Sequence, residues 1–463
     1  MKYISTRGDA PVLGFCDAVL GGLADDGGLY LPQTWPQISQ DEIASFANKT
    51  FSEIAFAIIS RFTGDEIAPN ELKAIVEEAY SSFNHPSITP LVELEPSHFV
   101  LELFHGPTLA FKDVAMQFLA LVMDHILVKR QQRATIIGAT SGDTGSAAIE
   151  AFRGRDNIDI FILHPYGRTS EVQRRQMTSV LDDNVYNIAL KGNFDDCQTI
   201  VKGLFGNKKF RQRTALSGVN SINWGRILAQ ITYYFKAASD LGAPNREIDF
   251  SVPTGNFGDI FAGFAAKQMG LPIGKLNIAT NENDILVRTI DSGKYEASGV
   301  KPTTSPSMDI QVSSNFERLL FEALGRNDED LCRLMDSLKQ SGGFSISKDV
   351  LSVLRKDFAA LKADEDQVVA TMKDCYLQSG YLIDPHTAVG VFVARGLKDS
   401  DRQMVSLSTA HPAKFPDAVK NATGVMPALP YFLADLFEKP EQYDILENEQ
   451  KVIEKYILDR TRA

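Results

Sequence analysis

Cysteine is scarce: four residues in 463, at 16, 197, 332 and 375, with no CxxC pair. That spacing excludes a zinc ribbon and a dense disulfide framework, and predicts free, buried thiols. An excess of positive charge is missing too, since 47 Lys and Arg against 59 Asp and Glu leave a formal charge of −12. No basic stripe for nucleic acid or an anionic membrane is expected, although local patches for small anions remain open. Long apolar runs are absent: the most apolar stretch, residues 114–128, is broken by Gln117, Asp124 and His125, too soon for a spanning helix. The start, Met1-Lys2-Tyr3 followed by Ser5-Thr6-Arg7-Gly8-Asp9, lacks the apolar segment of a secretory signal, so a cytoplasmic protein is expected. The phosphate motif GxxxxGK with Ser or Thr, the dinucleotide motif GxGxxG and the metal motif HExxH do not occur, and the seven histidines are scattered singly. No metal site is expected.

What remains is an ordinary globular composition, 44% apolar and 23% charged, long enough for about two or three domains. Residues 41–62 look helical, and a second helical pattern over 65–83 places Leu72, Ile75, Val76 and Ala79 on one face. Asn84-His85-Pro86 and Thr89-Pro90 then punctuate the chain. The expected organisation is a mainly helical N-terminal domain over 1–85 and a core over 86–463. Beyond the boundary the rhythm is β-α. Short runs at 134–137, 158–163, 250–252 and 276–278 alternate with helical stretches, and residues 404–408 read as a late return strand. This pattern predicts an α/β fold, open parallel sheets with helices on both faces, and ligand sites at the carboxyl ends of strands. Residues 328–379 read as helix-rich. A C-terminal helical cap is expected at roughly 428–463.

Two strand-to-helix junctions are rich in glycine. At Pro253-Thr254-Gly255-Asn256-Phe257-Gly258-Asp259, backbone N–H groups and a helix N-terminus could converge on an anion, or the segment could be a plain tight turn. At Thr140-Ser141-Gly142-Asp143-Thr144-Gly145, Thr140 and Ser141 could bind a carboxylate, while Asp143 has a simple alternative reading as an N-cap. Lys112 stands just ahead of an apolar-periodic stretch, next to Phe111. A lysine at a helix start meets the wrong end of the dipole, and an aromatic neighbour desolvates it; both favour the neutral, nucleophilic amine. A solvated surface lysine is the competing reading.

Five segments carry a resemblance: HGPTLAFKD at 105–113, TSGDTG at 140–145, NSINWGR at 220–226, PTGNFGD at 253–259 and STAHPAKF at 408–415. Together with Arg7-Gly8-Asp9, residues 23–32, Ser307-Met308-Asp309-Ile310 and Asn315-Phe316-Glu317-Arg318, they make the chain similar to the threonine synthase family. The closer likeness is to its long branch, which has an extra N-terminal domain. The resemblance implies a fold type II pyridoxal-phosphate enzyme of the tryptophan-synthase-β kind, with a core of two α/β subdomains, the smaller at roughly 105–190. It implies a Schiff base between Lys112 and pyridoxal 5'-phosphate. The cofactor phosphate would lie on Gly255, Asn256, Phe257 and Gly258, the ring hydroxyl would face Asp143, and the ring nitrogen would meet Thr409. Shorter relatives have asparagine in place of Asp143, which leaves its protonation state open. The implied substrate is O-phospho-L-homoserine, its carboxylate on Thr140 and Ser141 and its phosphate on Asn220, Ser221 and Arg226, with Lys414 a weaker candidate. The implied reaction, the last step of threonine biosynthesis, is a β,γ-replacement giving L-threonine and phosphate. The N-terminal domain could close over the mouth of the site, and the branch suggests a monomer. Alternatives are a phospholyase or a serine/threonine dehydratase with the same cofactor, and a non-catalytic ligand-binding homologue.

Overall fold

Strands buried on both faces need apolar side chains on both sides of the pleat, and this requirement organises the molecule. The computed structural model describes residues 1–399 and 401–463. Its five-stranded sheet is wholly parallel, in the order Asp444–Leu446, Val185–Leu190, Ile158–Pro165, Ala134–Ala139, Leu216–Ser217. Ile136, Ile160 and Ile162 enter a core shared with helices Lys112–Arg130 and Asp143–Phe152. Ile137, Phe161 and Leu163 point the other way, to helices Phe194–Gly206 and Gln450–Leu458. The period of two in a strand thus feeds two separate helix layers.

The six-stranded sheet runs Phe358–Lys362, Ile273–Thr280, Ile248–Pro253, Gln403–Ser408, His98–Glu102, Leu91–Glu95, with only the last strand antiparallel. Phe250, Val252, Leu276 and Ile278 face helices Trp224–Asp240 and Gly258–Gln268. On the opposite face Ser251 Oγ donates to the Gly390 carbonyl at 2.7 Å, inside helix Pro385–Leu397. Open sheets with helices on both faces therefore stand as expected.

Several boundaries differ from expectation. Residues 41–62 are two helices, Gln40–Ser45 and Phe51–Thr63, around the 3-10 turn Phe46–Asn48. Thr50 starts the second: its hydroxyl accepts from Glu53 N, and its own N–H donates to Glu53 Oε2 at 2.8 Å. Residues 328–379 form three helices, Asp328–Ser341, Lys348–Asp357 and Glu365–Ser379, and also the edge strand Phe358–Lys362. That strand reads Phe-Ala-Ala-Leu-Lys, a helix-favouring composition overridden by pairing with residues 276–280. The expected C-terminal helical cap holds a nine-residue helix, Gln450–Leu458, and the strand Asp444–Leu446, which joins the five-stranded sheet. The smaller sheet consequently draws strands from beyond 190, both there and at Leu216–Ser217.

Residues 1–85 are mainly helical, with a hairpin-like pair Tyr3–Ser5 and Tyr30–Pro32. They have no core of their own. Phe62 and Tyr3 pack on Trp224 with ring centroids 5.7 and 6.0 Å apart, and Phe46 packs on Phe235 at 6.0 Å. The buried cluster runs unbroken from this segment into helix Trp224–Asp240.

Candidate active site

Lys112 opens its helix, as expected, and is buried. Its Nζ lies 3.3 Å from Asp143 Oδ2 and 5.2 Å from the Phe111 ring centroid. Burial lowers its pKa, Asp143 pulls it back up, and Lys414 and Arg226 push it down again. The result is an amine that gives up its proton more readily than a surface lysine, at a helix end that disfavours positive charge.

Asp143 is no N-cap. That task falls to the Thr140 hydroxyl, which accepts from the N–H groups of Gly142 and Gly145, both at 2.9 Å. Gly142 turns into the helix at φ 145°, where an added Cβ would meet the Gln173 amide at 2.5 Å. Asp143 is freed to face inward, where Oδ1 receives Gln173 Nε2 at 2.9 Å and Lys414 Nζ at 3.1 Å. Burial works against this carboxylate, yet Lys414 and Lys112 hold its pKa well below the usual range. Both lysines thus favour the ionised form, the point the sequence left open.

Lys414, the weaker candidate, is completely buried in the 3-10 turn Pro412–Lys414. Its three N–H donors are met by Thr108 O (2.7 Å), Gln176 Oε1 (3.1 Å) and Asp143 Oδ1. Gln173 and Gln176 both come from helix Glu171–Thr178. Thr409 follows strand Gln403–Ser408, and its carbonyl accepts from Phe111 N at 2.8 Å, which ties the lysine segment to the end of the larger sheet. Ser141 is half-buried beside Thr140 at the helix start.

The second glycine junction has the expected form, with one correction. The left-handed residue is Phe257, at φ 63°, held by ring contacts with Phe316 and Phe358 at 5.4 and 5.8 Å. It is not Gly258, which has room for a Cβ, with nothing nearer than 3.4 Å. Gly255 does not: a Cβ there would lie 2.8 Å from the Ser307 carbonyl.

Arg226 sits one turn inside helix Trp224–Asp240, which Asn223 caps by accepting from Gly225 N at 2.9 Å. The arginine is buried, and burial brings its pKa down to about 10. Among the described residues its Nη1 donates to the Val219 carbonyl at 3.3 Å, its Nε is buried with no hydrogen bond, and no carboxylate pairs with it. Asn220 is exposed and Ser221 half-buried at the same helix start.

Four residues that sequence reasoning left without a role complete the site. Asn315 Nδ2 donates to Asn256 O (2.9 Å) and Ser221 O (3.2 Å), tying the 253–259 and 220–226 loops together. Arg318, fully buried, donates to Ile222 O (2.6 Å) and Tyr30 O (2.8 Å) and so links the 220–226 loop to the N-terminal strand pair. Both were quoted only as part of a motif. Gln173 and Gln176 carried no sequence signal beyond their i,i+3 spacing.

These residues suit a cofactor with an aldehyde and a phosphate. There is a buried lysine with a lowered pKa, and a loop that only glycine lets another backbone approach. Residues 83–409 match the pyridoxal-phosphate dependent enzyme family, residues 2–80 the threonine synthase N terminus, and residues 387–457 the threonine synthase C-terminal family. The threonine synthase of Pseudomonas aeruginosa is 53% identical over 99% of this chain and 98% of its own. The chain belongs to the threonine synthase family. The crystal structure of a threonine synthase from Brucella melitensis with pyridoxal phosphate bound superposes with a TM-score of 0.98 at 58% identity, over 100% of both chains. That of the Escherichia coli threonine synthase gives 0.83 at 33%, over 99% of this chain and 100% of its own. Membership makes this a pyridoxal-phosphate-dependent enzyme of the tryptophan-synthase-β-like fold, with an N-terminal segment proper to the threonine synthases. Among the described residues no helix is long and apolar enough to cross a membrane.

Proposed function

We propose that this threonine synthase acts on O-phospho-L-homoserine and water, releasing L-threonine and phosphate. The observation that carries the reading is Arg226. A buried guanidinium with an unpartnered Nε and no carboxylate beside it calls for an anion, and its planar fork suits phosphate.

Lys112 would hold the cofactor, Gly255, Asn256, Phe257 and Gly258 its phosphate, Asp143 its ring hydroxyl and Thr409 its ring nitrogen. When bound, pyridoxal phosphate supplies the electron sink that makes the substrate's Cα–H bond acidic. Lys112 Nζ takes that proton and later returns one. Arg226, Asn220 and Ser221 hold the substrate phosphate as the bond from Cγ breaks. Thr140 and Ser141 take the carboxylate at the start of helix Asp143–Phe152, where the dipole favours it. Lys414 acts on Asp143 and not on the phosphate, because its donors are already met by three oxygens. The same proposal takes the enzyme as a cytoplasmic monomer.

The test supplies O-phosphohomoserine and measures threonine and phosphate separately. Equal amounts are expected. Phosphate without threonine would make the protein a phospholyase, and neither product would remove the substrate assignment. Borohydride reduction should leave a pyridoxyl group on the peptide holding Lys112; an adduct on another lysine overturns that role. A single sedimenting species of one chain's mass tests the monomer.

A further inference from the structure

The segment around Ser307-Met308-Asp309-Ile310 has no part in the reading above, yet it is built with care. Asp309 accepts from Thr303 N (3.0 Å), Thr303 Oγ1 (2.7 Å) and Asn281 Nδ2 (2.8 Å), and Asn281 Nδ2 also reaches Ser305 Oγ at 3.0 Å. Asn281 directly follows strand Ile273–Thr280, so this knot is pinned to the carboxyl end of a central strand. Ser307 projects from it to the reacting amine. Its Oγ is 3.4 Å from Lys112 Nζ and 3.1 Å from Asp143 Oδ2. The hydroxyl hydrogen goes to the carboxylate, which leaves an oxygen lone pair to accept from the lysine.

The backbone of Ser307 is held from a third direction. Its N–H donates to His386 Nε2 at 3.3 Å. An accepting Nε2 places the ring proton on Nδ1, which donates to Asp384 Oδ2 at 2.6 Å. Asp384 is fully buried and caps helix Pro385–Leu397, accepting from the N–H groups of His386 and Thr387, both at 3.0 Å. A line of hydrogen bonds therefore runs from that helix start through the imidazole to the serine and the lysine.

A neutral amine has two N–H bonds and one lone pair. We propose that Ser307 is a catalytic residue, and that His386 and Asp384 are positioning residues for it. Ser307 and Asp143 take the two N–H bonds of the Lys112 amine, which leaves the lone pair aimed at the reacting carbon. The inference rests on the reading of Lys112 as the cofactor lysine.

Uptake of pyridoxal phosphate by the cofactor-stripped full chain tests it without turnover. In that step Nζ adds to the aldehyde carbon and the aldehyde oxygen leaves as water; visible absorbance reports the rate. Ser307→Ala should slow uptake about tenfold and lower kcat for O-phosphohomoserine by about 10- to 100-fold, with KM within about twofold. Ser307→Thr, which keeps the hydroxyl, should return both to within about threefold. His386→Leu should reproduce a part of the Ser307→Ala loss, and His386→Gln, whose amide oxygen can accept from Ser307 N, should restore it. Uptake and kcat within about twofold of the parent in Ser307→Ala overturn the proposal. Equal damage in Ser307→Thr and Ser307→Ala also overturns it, since that result marks packing alone. A parent protein that makes no threonine but shows the Ser307 effect on uptake would sink the substrate assignment and keep this one.

Discussion

Lys112, Lys414 and Arg226 place three basic side chains out of water, and the first two share one carboxylate, Asp143. Among the described residues Arg226 hydrogen-bonds a carbonyl oxygen and pairs with no carboxylate. Burying an unpaired charge costs several kcal/mol even after relaxation, so the ligand-free fold carries a penalty that a bound anion offsets. Arg226→Met, apolar and of similar length, should leave the thermal midpoint of the ligand-free protein unchanged or raise it. The same variant should lower kcat/KM for O-phosphohomoserine by about 30-fold to a few thousandfold, with cofactor absorbance intact. Loss of stability without loss of kcat/KM would contradict a phosphate role. The places of Lys112 and Arg226 at helix starts were legible in the sequence, because a polar or glycine-rich segment runs into an apolar-periodic one at each. Lys414 was not: nothing in Pro412-Ala413-Lys414-Phe415 tells that helix Glu171–Thr178 will close over it.

The loops and helix starts set the next scale. Gly255 and Gly258 look alike in sequence but differ in surroundings, because the Ser307 carbonyl abuts only the first. Gly255→Ala should force the 305–310 segment away, cost about 1–3 kcal/mol and weaken cofactor retention. Gly258→Ala should do neither, as thermal melts and cofactor dissociation measured side by side will show. One residue further, Asp259 stands at a helix start where an acid is normally favoured. Here burial dominates, and its carboxyl is pushed up to about 6 even though Tyr233 and Tyr234 donate to Oδ1. A raised folded pKa means the native state holds a proton that the unfolded chain releases, so stability is lost as pH rises from about 4 to about 6. Asp259→Asn does not titrate. Its stability relative to the parent should improve across that window by up to about 3 kcal/mol, read from denaturant midpoints at pH 4 and pH 7. A difference independent of pH would place the carboxyl's pKa outside the window.

Over the whole molecule, the N-terminal 85 residues share one buried cluster with helix Trp224–Asp240. They brace the back of helix Trp224–Asp240 through Phe62 and Tyr3 on Trp224. Through Arg318, which binds Tyr30 O and Ile222 O, they also brace the 220–226 loop. A continuous core should unfold as a unit. Phe62→Ala, which opens a cavity against Trp224, should cost about 3–5 kcal/mol in a single calorimetric transition. A separate low-temperature transition confined to residues 1–85 would show two cores after all.

Composition, periodicity and five short motifs were enough for the parallel α/β class, the central strands and the lysine. Each is a local property: two-sided burial demands apolar runs, and glycine and polar residues mark strand-to-helix junctions wherever they fold. Other features were decided only by contacts between distant segments. Pairing with residues 276–280 makes a strand of helix-favouring residues 358–362, and Val185–Leu190 recruits Asp444–Leu446. Asp143 becomes an ion-pair partner because Thr140 caps the helix in its place while Lys414, 271 residues downstream, arrives at 3.1 Å. Ser307 meets Lys112 across 195 residues of chain. Residue spacing along the chain cannot encode such meetings; they come from sheet order and from which faces the strands turn to which helices.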